Sequence, residues 1–123
     1  MSGDKIIKID DGSNSYPDDS FSGVWEVLWQ NGNLKYRSAY VGGKEEGLVQ
    51  CWWENGHLAQ EGTKLEGQSV GIWRDYFEDG TMNKETEYCD ADGDFVQRIY
   101  NEKGKVYLVR EFREGVRIRE EYL

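Results

Sequence analysis

Apolar and polar positions alternate in short runs along this chain, and the runs return at a fixed interval. The stretch Cys51-Trp52-Trp53-Glu54-Asn55-Gly56-His57-Leu58 places an Asn-Gly pair between apolar flanks. It returns as Leu28-Trp29-Gln30-Asn31-Gly32-Asn33-Leu34 and as Tyr76-Phe77-Glu78-Asp79-Gly80-Thr81-Met82, then more weakly as Tyr100-Asn101-Glu102-Lys103-Gly104-Lys105-Val106. The turn glycines stand at 32, 56, 80 and 104, a period of 24 residues without slippage. Other columns keep the same period: Val24, Leu48, Ile72 and Val96; Leu28, Trp52, Tyr76 and Tyr100; Leu34, Leu58, Met82 and Val106. A second glycine column runs Gly43, Gly67, Ala91, Gly115, and a third runs Gly23, Gly47, Gly71 before Phe95 interrupts it. Self-similarity at a fixed period marks a repeat architecture.

Apolar residues do not recur at helical spacing, and glycine punctuates every dozen residues, so the units are hairpins. Asn-Gly between apolar runs predicts a two-residue type I′ turn, which needs positive φ at both central residues. In the first unit Val24 to Gln30 is a strand, Asn31-Gly32 the turn, Asn33 to Val41 the return strand, and Gly42-Gly43 a second turn. The units are 23–46, 47–70, 71–94 and 95–118, with the clear repeat covering 23–115. Residues 1–22 lie outside it: Lys5 to Ile9 read as a short edge strand and Asp10 to Ser20 as a loop. Residues 116–123 alternate apolar and charged side chains and read as a capping strand, which an open repeat array needs at its end. The expected fold is all-β, a single-layer antiparallel meander of hairpins.

A two-residue turn pairs residue 28 with 35 and 27 with 36, and paired residues share a face. One face then carries Trp25, Val27, Trp29, Leu34 and Tyr36, with Val49, Cys51, Trp53 and Leu58, then Trp73, Phe77 and Met82, in the following units. The opposite face carries Val24, Leu28, Leu48, Trp52, Ile72, Tyr76, Val96 and Tyr100 among Glu26, Lys35, Gln50, Arg74 and Arg98. A three-residue loop with a bulge would change this assignment. Both faces are partly apolar, so a single layer leaves aromatic surface for the end segments or for a partner.

Composition narrows the function. The net charge is −9 and the pI about 4.6. That balance disfavours nucleic acid and anionic membrane as partners, since both want a basic face, and it suits a basic protein partner. No stretch approaches the roughly 18 apolar residues of a membrane span. Met1 to Asp11 contain no apolar core after a basic start, so no secretory signal is read and the expected compartment is the cytoplasm. Two cysteines, Cys51 and Cys89, sit in different columns and suit reduced thiols.

Catalytic chemistry is hard to assemble. The single histidine, His57, follows a turn in a column otherwise filled by Asn33, Thr81 and Lys105, and reads as an exposed turn residue. Asp90, Asp92 and Asp94 resemble the opening of a calcium loop, but the glycine at the sixth place and the distal bidentate glutamate are missing; a solvated inter-unit turn is the simpler reading. Glu54 and Glu78 stand beside turns, where solvated edges are simpler than paired catalytic carboxylates. The tyrosines and tryptophans serve mostly packing and cross-strand stacking, the remainder being candidate interface anchors. No enzyme activity, cofactor or metal site is expected.

The pattern Gly47-Leu48-Val49-Gln50-Cys51-Trp52-Trp53-Glu54-Asn55-Gly56-His57-Leu58, with Gly71-Ile72-Trp73-Arg74-Asp75-Tyr76-Phe77-Glu78-Asp79-Gly80, resembles the variant MORN repeat of bacteria. The first unit fits with Gln30 in the glutamate place. The fourth departs at Phe95, Asn101 and Lys103, as a cap would. The resemblance implies an elongated, twisted sheet of stacked hairpins and, for many bacterial members, an antitoxin or immunity protein that binds a toxin and occludes its active surface. On that reading the toxin-binding candidates are Trp29, Trp52, Trp53, Tyr76 and Phe77 as anchors, with Glu54, Asp75, Glu78 and Asp79 as charge partners. The partner would be a cognate, basic toxin, and the free protein a monomer or homodimer. The alternative is a MORN-type scaffold between proteins, or a membrane-associated adaptor.

Overall fold

A computed structural model describes residues 4–12, 16–89 and 93–123. These form ten strands and no helix: β1 Asp4–Ile9, β2 Gly23–Leu28, β3 Leu34–Val41, β4 Lys44–Trp52, β5 Leu58–Leu65, β6 Gln68–Tyr76, β7 Met82–Tyr88, β8 Phe95–Tyr100, β9 Val106–Arg113 and β10 Val116–Tyr122. They make one open sheet whose spatial order follows the chain from β1 to β10. The all-β meander expected from the repeat is the architecture found. One junction differs from it: β1 runs parallel to β2, Asp4 opposite Gly23 through Ile9 opposite Leu28. The intervening segment is long enough to carry the chain back to the start of β2, as a parallel pair requires.

The Asn-Gly hairpins are not type I′. Trp29 N donates to Asn33 O at 2.7 Å and Gly32 N donates to Trp29 O at 2.9 Å, and this pair of bonds recurs at Trp53, Phe77 and Asn101. Gly32, Gly56, Gly80 and Gly104 have φ between 78 and 94°, whereas Asn31, Asn55, Asp79 and Lys103 do not have positive φ. Each loop is a three-residue connection, a type I turn closed by a left-handed glycine. Beside the loop the register therefore slips by one, Leu28 opposite Leu34, Trp52 opposite Leu58 and Tyr76 opposite Met82, and a bulge then restores the expected pairing of Val27 with Tyr36. Leu34, Leu58 and Met82 accordingly lie with Leu28, Trp52 and Tyr76, not with Trp25 and Val27 as a two-residue turn predicts.

Type I′ geometry occurs at the other end of the hairpins. Gly42-Gly43, Glu66-Gly67 and Glu114-Gly115 have positive φ at both positions. Glutamate resists this conformation, and each turn is held by a side-chain acceptor from the neighbouring unit. Gly42 N donates to Ser22 Oγ at 2.9 Å, Glu66 N to Glu46 Oε2 at 2.5 Å, and Glu114 N to Asp94 Oδ1 at 2.9 Å. The acceptors at 22, 46 and 94 keep the 24-residue period; Val70 occupies the remaining place and offers none.

Asparagine is used at the three-residue loops for its side chain rather than its backbone. Asn31 Oδ1 accepts from Asn33 N and Asn55 Oδ1 from His57 N, both at 2.9 Å. The same side chains donate onward through Nδ2, Asn31 to Glu54 O at 3.0 Å and Asn55 to Glu78 O at 2.8 Å. Two indoles add parallel rungs, Trp29 Nε1 to Trp52 O at 3.1 Å and Trp53 Nε1 to Tyr76 O at 3.2 Å. The ladder ties each turn to the next and stops after the second unit, because Phe77 and Asp79 have no side-chain N–H to donate. Asn55→Ala removes two of these bonds and is expected to cost about 1–2 kcal/mol in urea denaturation. A change under a few tenths would show that the rung carries no stability.

The core occupies one face. Trp25 opposes Ser38, Ser38 opposes Val49, Val49 opposes Gly62, and Trp73 opposes Thr86, forming one buried row across the sheet. Small residues alternate with large ones, so rings lie over neighbouring strands without a second layer. At one end Phe21 packs edge-on to Trp25 with centroids 5.5 Å apart, and its carbonyl accepts from Gly43 N. At the other, Phe95 stacks on Phe112 at 4.4 Å. The opposite face carries a polar row in which Glu26 pairs with Arg37 at 2.6 Å, Gln50 donates to Glu61 at 3.0 Å, and Arg74 pairs with Glu85 at 3.1 Å.

Candidate functional site

The stacked three-residue loops form one edge of the sheet, and the candidate residues from the sequence fall on or beside it. Glu54, Glu78 and Asp79 are exposed at the loop tips. Asp79 Oδ1 accepts from Thr81 N at 2.9 Å and Thr81 Oγ1 at 2.6 Å, and these bonds hold its carboxyl below the usual range. Asp75 is half-buried and accepts from Gln60 Nε2 at 2.9 Å. Phe77 is 43% exposed, the most open of the aromatic candidates.

The aromatic candidates divide between the two faces. Trp52 and Tyr76 lie with Leu58 and Met82 on the polar face, where the Arg37 guanidinium sits 5.7 Å from the Trp52 ring. Trp29 and Trp53 border a cleft of about 350 Å3 with Val27, Tyr36, Cys51 and Ala59 of the core side, and Lys35 and part of Trp52 reach its lining as well. The loop tips lie between the two sets. A partner that meets all nine candidates has to wrap over the edge; a flat partner meets the tips and one set.

Sequence reasoning did not single out Lys35, Tyr36, Cys51 or Ala59. The available signal is the column Lys35, Ala59, Asn83, Tyr107, in which the first unit carries a long cation and the second a methyl group. In the first unit Lys35 Nζ lies 4.5 Å from the Trp29 ring centroid and 2.5 Å from Asp10 Oδ2. The second unit has only a methyl group at this place.

The cleft wall continues into a polar cluster. The Tyr36 hydroxyl donates to Glu45 Oε2 and lies 3.0 Å from the Tyr40 hydroxyl, while Lys64 Nζ is 3.1 Å from Glu45 Oε1. Burial and the Glu45 carboxylate push Tyr36 far above the ordinary tyrosine range. Burial also pushes the Cys51 thiol up, to about 11, so it is held as an unreactive thiol. For Glu45 burial works upward, but the bonds from Tyr36, Ser38 and Lys64 outweigh it and hold the carboxyl below its ordinary 4.5. A depressed folded pKa contributes stability above the unfolded value and loses it as pH falls through the folded one. Glu45→Gln is therefore expected to flatten the fall of stability below about pH 4.5; an unchanged acid limb in thermal melts would contradict this.

Asp90 and Asp92 lie outside the described residues. Asp94, the third member of the calcium-like triplet, uses Oδ1 to hold the Glu114 turn and has Oδ2 3.9 Å from Arg113. No group of three or more His, Cys, Asp or Glu side chains is placed to hold a metal among the described residues. His57 is exposed, its backbone N–H donating to Asn55.

No curated protein and no solved structure matches the chain. A family of defined repeats does: the MORN repeat variant matches residues 45–63 and 69–90. The first span covers most of β4 and β5, and the second most of β6 with all of β7. The middle hairpins of this sheet, with their loops at Trp53–His57 and Phe77–Thr81, are MORN repeat variants.

Proposed function

We propose that this chain is a non-catalytic protein-binding module whose partner is a basic bacterial toxin, and that it acts in the cytoplasm as an immunity or antitoxin protein by covering the toxin's active surface. The observation that carries the reading is the loop edge, where Glu54, Glu78 and Asp79 stand exposed beside Trp53 and the open Phe77 ring. Large amphipathic rings supply anchoring area, and a row of carboxylates on a chain of net charge −9 draws in a basic surface and speeds its encounter. The rigid ladder beneath the edge reduces the ordering cost of binding.

The test is protection of cells that express the toxin encoded beside this gene. The triple charge reversal Glu54→Lys, Glu78→Lys, Asp79→Lys and the single Trp52→Ala are each expected to weaken protection, the first with loss of salt dependence. If both variants protect as well as the parent, this edge is not the binding surface.

A second reading, a scaffold joining proteins, is favoured by the open ends of the sheet. β1 and β10 are outermost strands, and every residue of β10 is exposed. An outer strand can accept another chain by strand addition, although the charged side chains of β10 discourage it. The scaffold reading predicts complexes that persist in the triple charge reversal.

A further inference from the structure

We infer that the cleft between the first and second repeat units is a receptor for one arginine or lysine side chain of a basic partner protein, the cation lying against Trp53 as Lys35 lies against Trp29. The inference rests on the preceding reading and adds the chemistry by which the partner is recognised. Its basis is a comparison of equivalent positions within the repeat. In the first unit the indole of Trp29 is covered by the chain's own cation, with Lys35 Nζ at 4.5 Å from the ring centroid. Twenty-four residues on, Trp53 keeps the indole but Ala59 replaces the lysine. Ala59 leaves room beside Trp53, in the cleft of about 350 Å3 that Trp29, Lys35, Tyr36 and Trp52 also border.

The walls are of the right kind for a cation. Equivalent backbone carbonyls in the two units are met by different donors: Leu28 O accepts from the Asp10 backbone N–H, and Trp52 O from the Trp29 indole. The first site is thus flanked by a carboxylate residue and the second by another indole. The N–H groups of Trp29 and Trp53 are already committed to backbone carbonyls, which fixes these two rings; since Lys35 already covers Trp29, the Trp53 face is the recognition element. A ring face attracts a guanidinium or ammonium most strongly where water is partly excluded. Lys35 also lines the cleft, but its charge is taken up by Asp10 at 2.5 Å, so the wall adds no unpaired cation, and the chain as a whole carries −9. An apolar side chain would also fit a wall that includes Val27, Cys51 and Ala59, and it is the outcome against which the cation is tested.

The experiment is an NMR titration of the five indole N–H signals with an acetylated, amidated Gly-Arg-Gly peptide, against the same peptide with norleucine in place of arginine. The arginine peptide is expected to shift the signals of Trp29 and Trp53 while leaving those of the buried Trp25 and Trp73 in place. Norleucine is expected to leave all of them unmoved. Ala59→Lys supplies the missing side chain from within the chain, at a position where Lys35 shows that lysine is accommodated. It is expected to weaken the arginine peptide roughly tenfold. Equal shifts from the norleucine peptide would make the cleft an apolar slot and overturn the inference, as would undiminished binding to Ala59→Lys. The same variant separates this inference from the broader reading. If Ala59→Lys still binds a basic toxin at full strength, the cleft is refuted and the loop edge stands. Should the native partner prove acidic, the broader reading falls, while the peptide titration still decides what the cleft takes.

Discussion

Replacing Gly62 by valine is expected to leave the protein unfolded, or nearly so, at ordinary temperature. A Cβ at Gly62 would fall 2.0 Å from Cδ2 of Trp73, 2.3 Å from Cε2 and 2.5 Å from Cε3. These are atoms of a rigid ring on the core face, not the end of a flexible chain. The ring can leave only by giving up its burial, which for a tryptophan is worth about 3–5 kcal/mol, and forced overpacking adds about 1–3 kcal/mol. Natural domains hold about 5–15 kcal/mol in all. The cause is steric, so it should be repairable. Ser38 faces Val49 in the preceding unit, the same two columns in a smaller pair. The double variant Gly62→Ser, Trp73→Val copies that pair and is expected to recover part of what either single change loses. Near-ultraviolet circular dichroism with a thermal melt reads both variants. A folded Gly62→Val protein with an unshifted melting temperature would mean that the ring does not lie where the core description places it.

Trp25→Ala is expected to cost about 3–5 kcal/mol for the same reason of lost burial, whereas Trp25→Phe should cost far less. The two core indoles differ in one bond. Trp73 Nε1 donates to Thr63 O at 3.1 Å, whereas Trp25 Nε1 is buried with no partner among the described residues. An unsatisfied buried donor carries a penalty of about 1–3 kcal/mol. Phenylalanine at 25 removes that penalty while keeping most of the apolar area and the edge contact with Phe21. Phenylalanine at 73 loses a bond and leaves the Thr63 carbonyl without its donor. Urea denaturation should therefore rank Trp73→Phe as the more damaging change; the reverse order would show that the Trp25 indole is satisfied in solution.

The difference between these tryptophans comes from the N-terminal strand. Trp73 bonds to the strand before it, an antiparallel neighbour, at Thr63 beside its bulge; the strand before Trp25 is β1, which runs parallel. Residues 1–22 carry no copy of the repeat, so nothing in their pattern told the direction of β1. The hairpins themselves were legible, because glycine columns mark places where the backbone must take positive φ. The type of turn was not. Asn31-Gly32 is compatible with a two-residue turn and with a three-residue loop; the three-residue form goes with a side-chain bond inside the loop, Asn31 Oδ1 accepting from Asn33 N, which recurs at Asn55 and Asp79. That choice also moved Leu34, Leu58 and Met82 to the other face. The tight turn at Glu66-Gly67 was hidden for the opposite reason: glutamate argues against positive φ, and the compensating acceptor, Glu46, lies twenty positions away.

At the candidate site, the exposed acids at the loop tips were legible as turn-adjacent columns. The division of Trp29 and Trp53 from Trp52 and Tyr76 was legible too, from strict alternation along each strand; what the bulge changed was the company they keep, Leu58 and Met82 joining Trp52 and Tyr76. The cleft was least legible. It lies where one column changes from Lys35 to Ala59, both of which line it, and columns that vary look uninformative until the neighbours they cover are known.

The central claim is that the loop edge binds a basic protein. Hydrogen–deuterium exchange of the purified chain, alone and with the product of the adjacent gene, tests it most directly. The account predicts a one-to-one complex with a basic partner, with new protection concentrated at the loops Trp53–His57 and Phe77–Thr81 and little change along β10. Protection confined to β1 or β10, with the loops exchanging as in the free protein, would contradict it and assign binding to the open ends of the sheet.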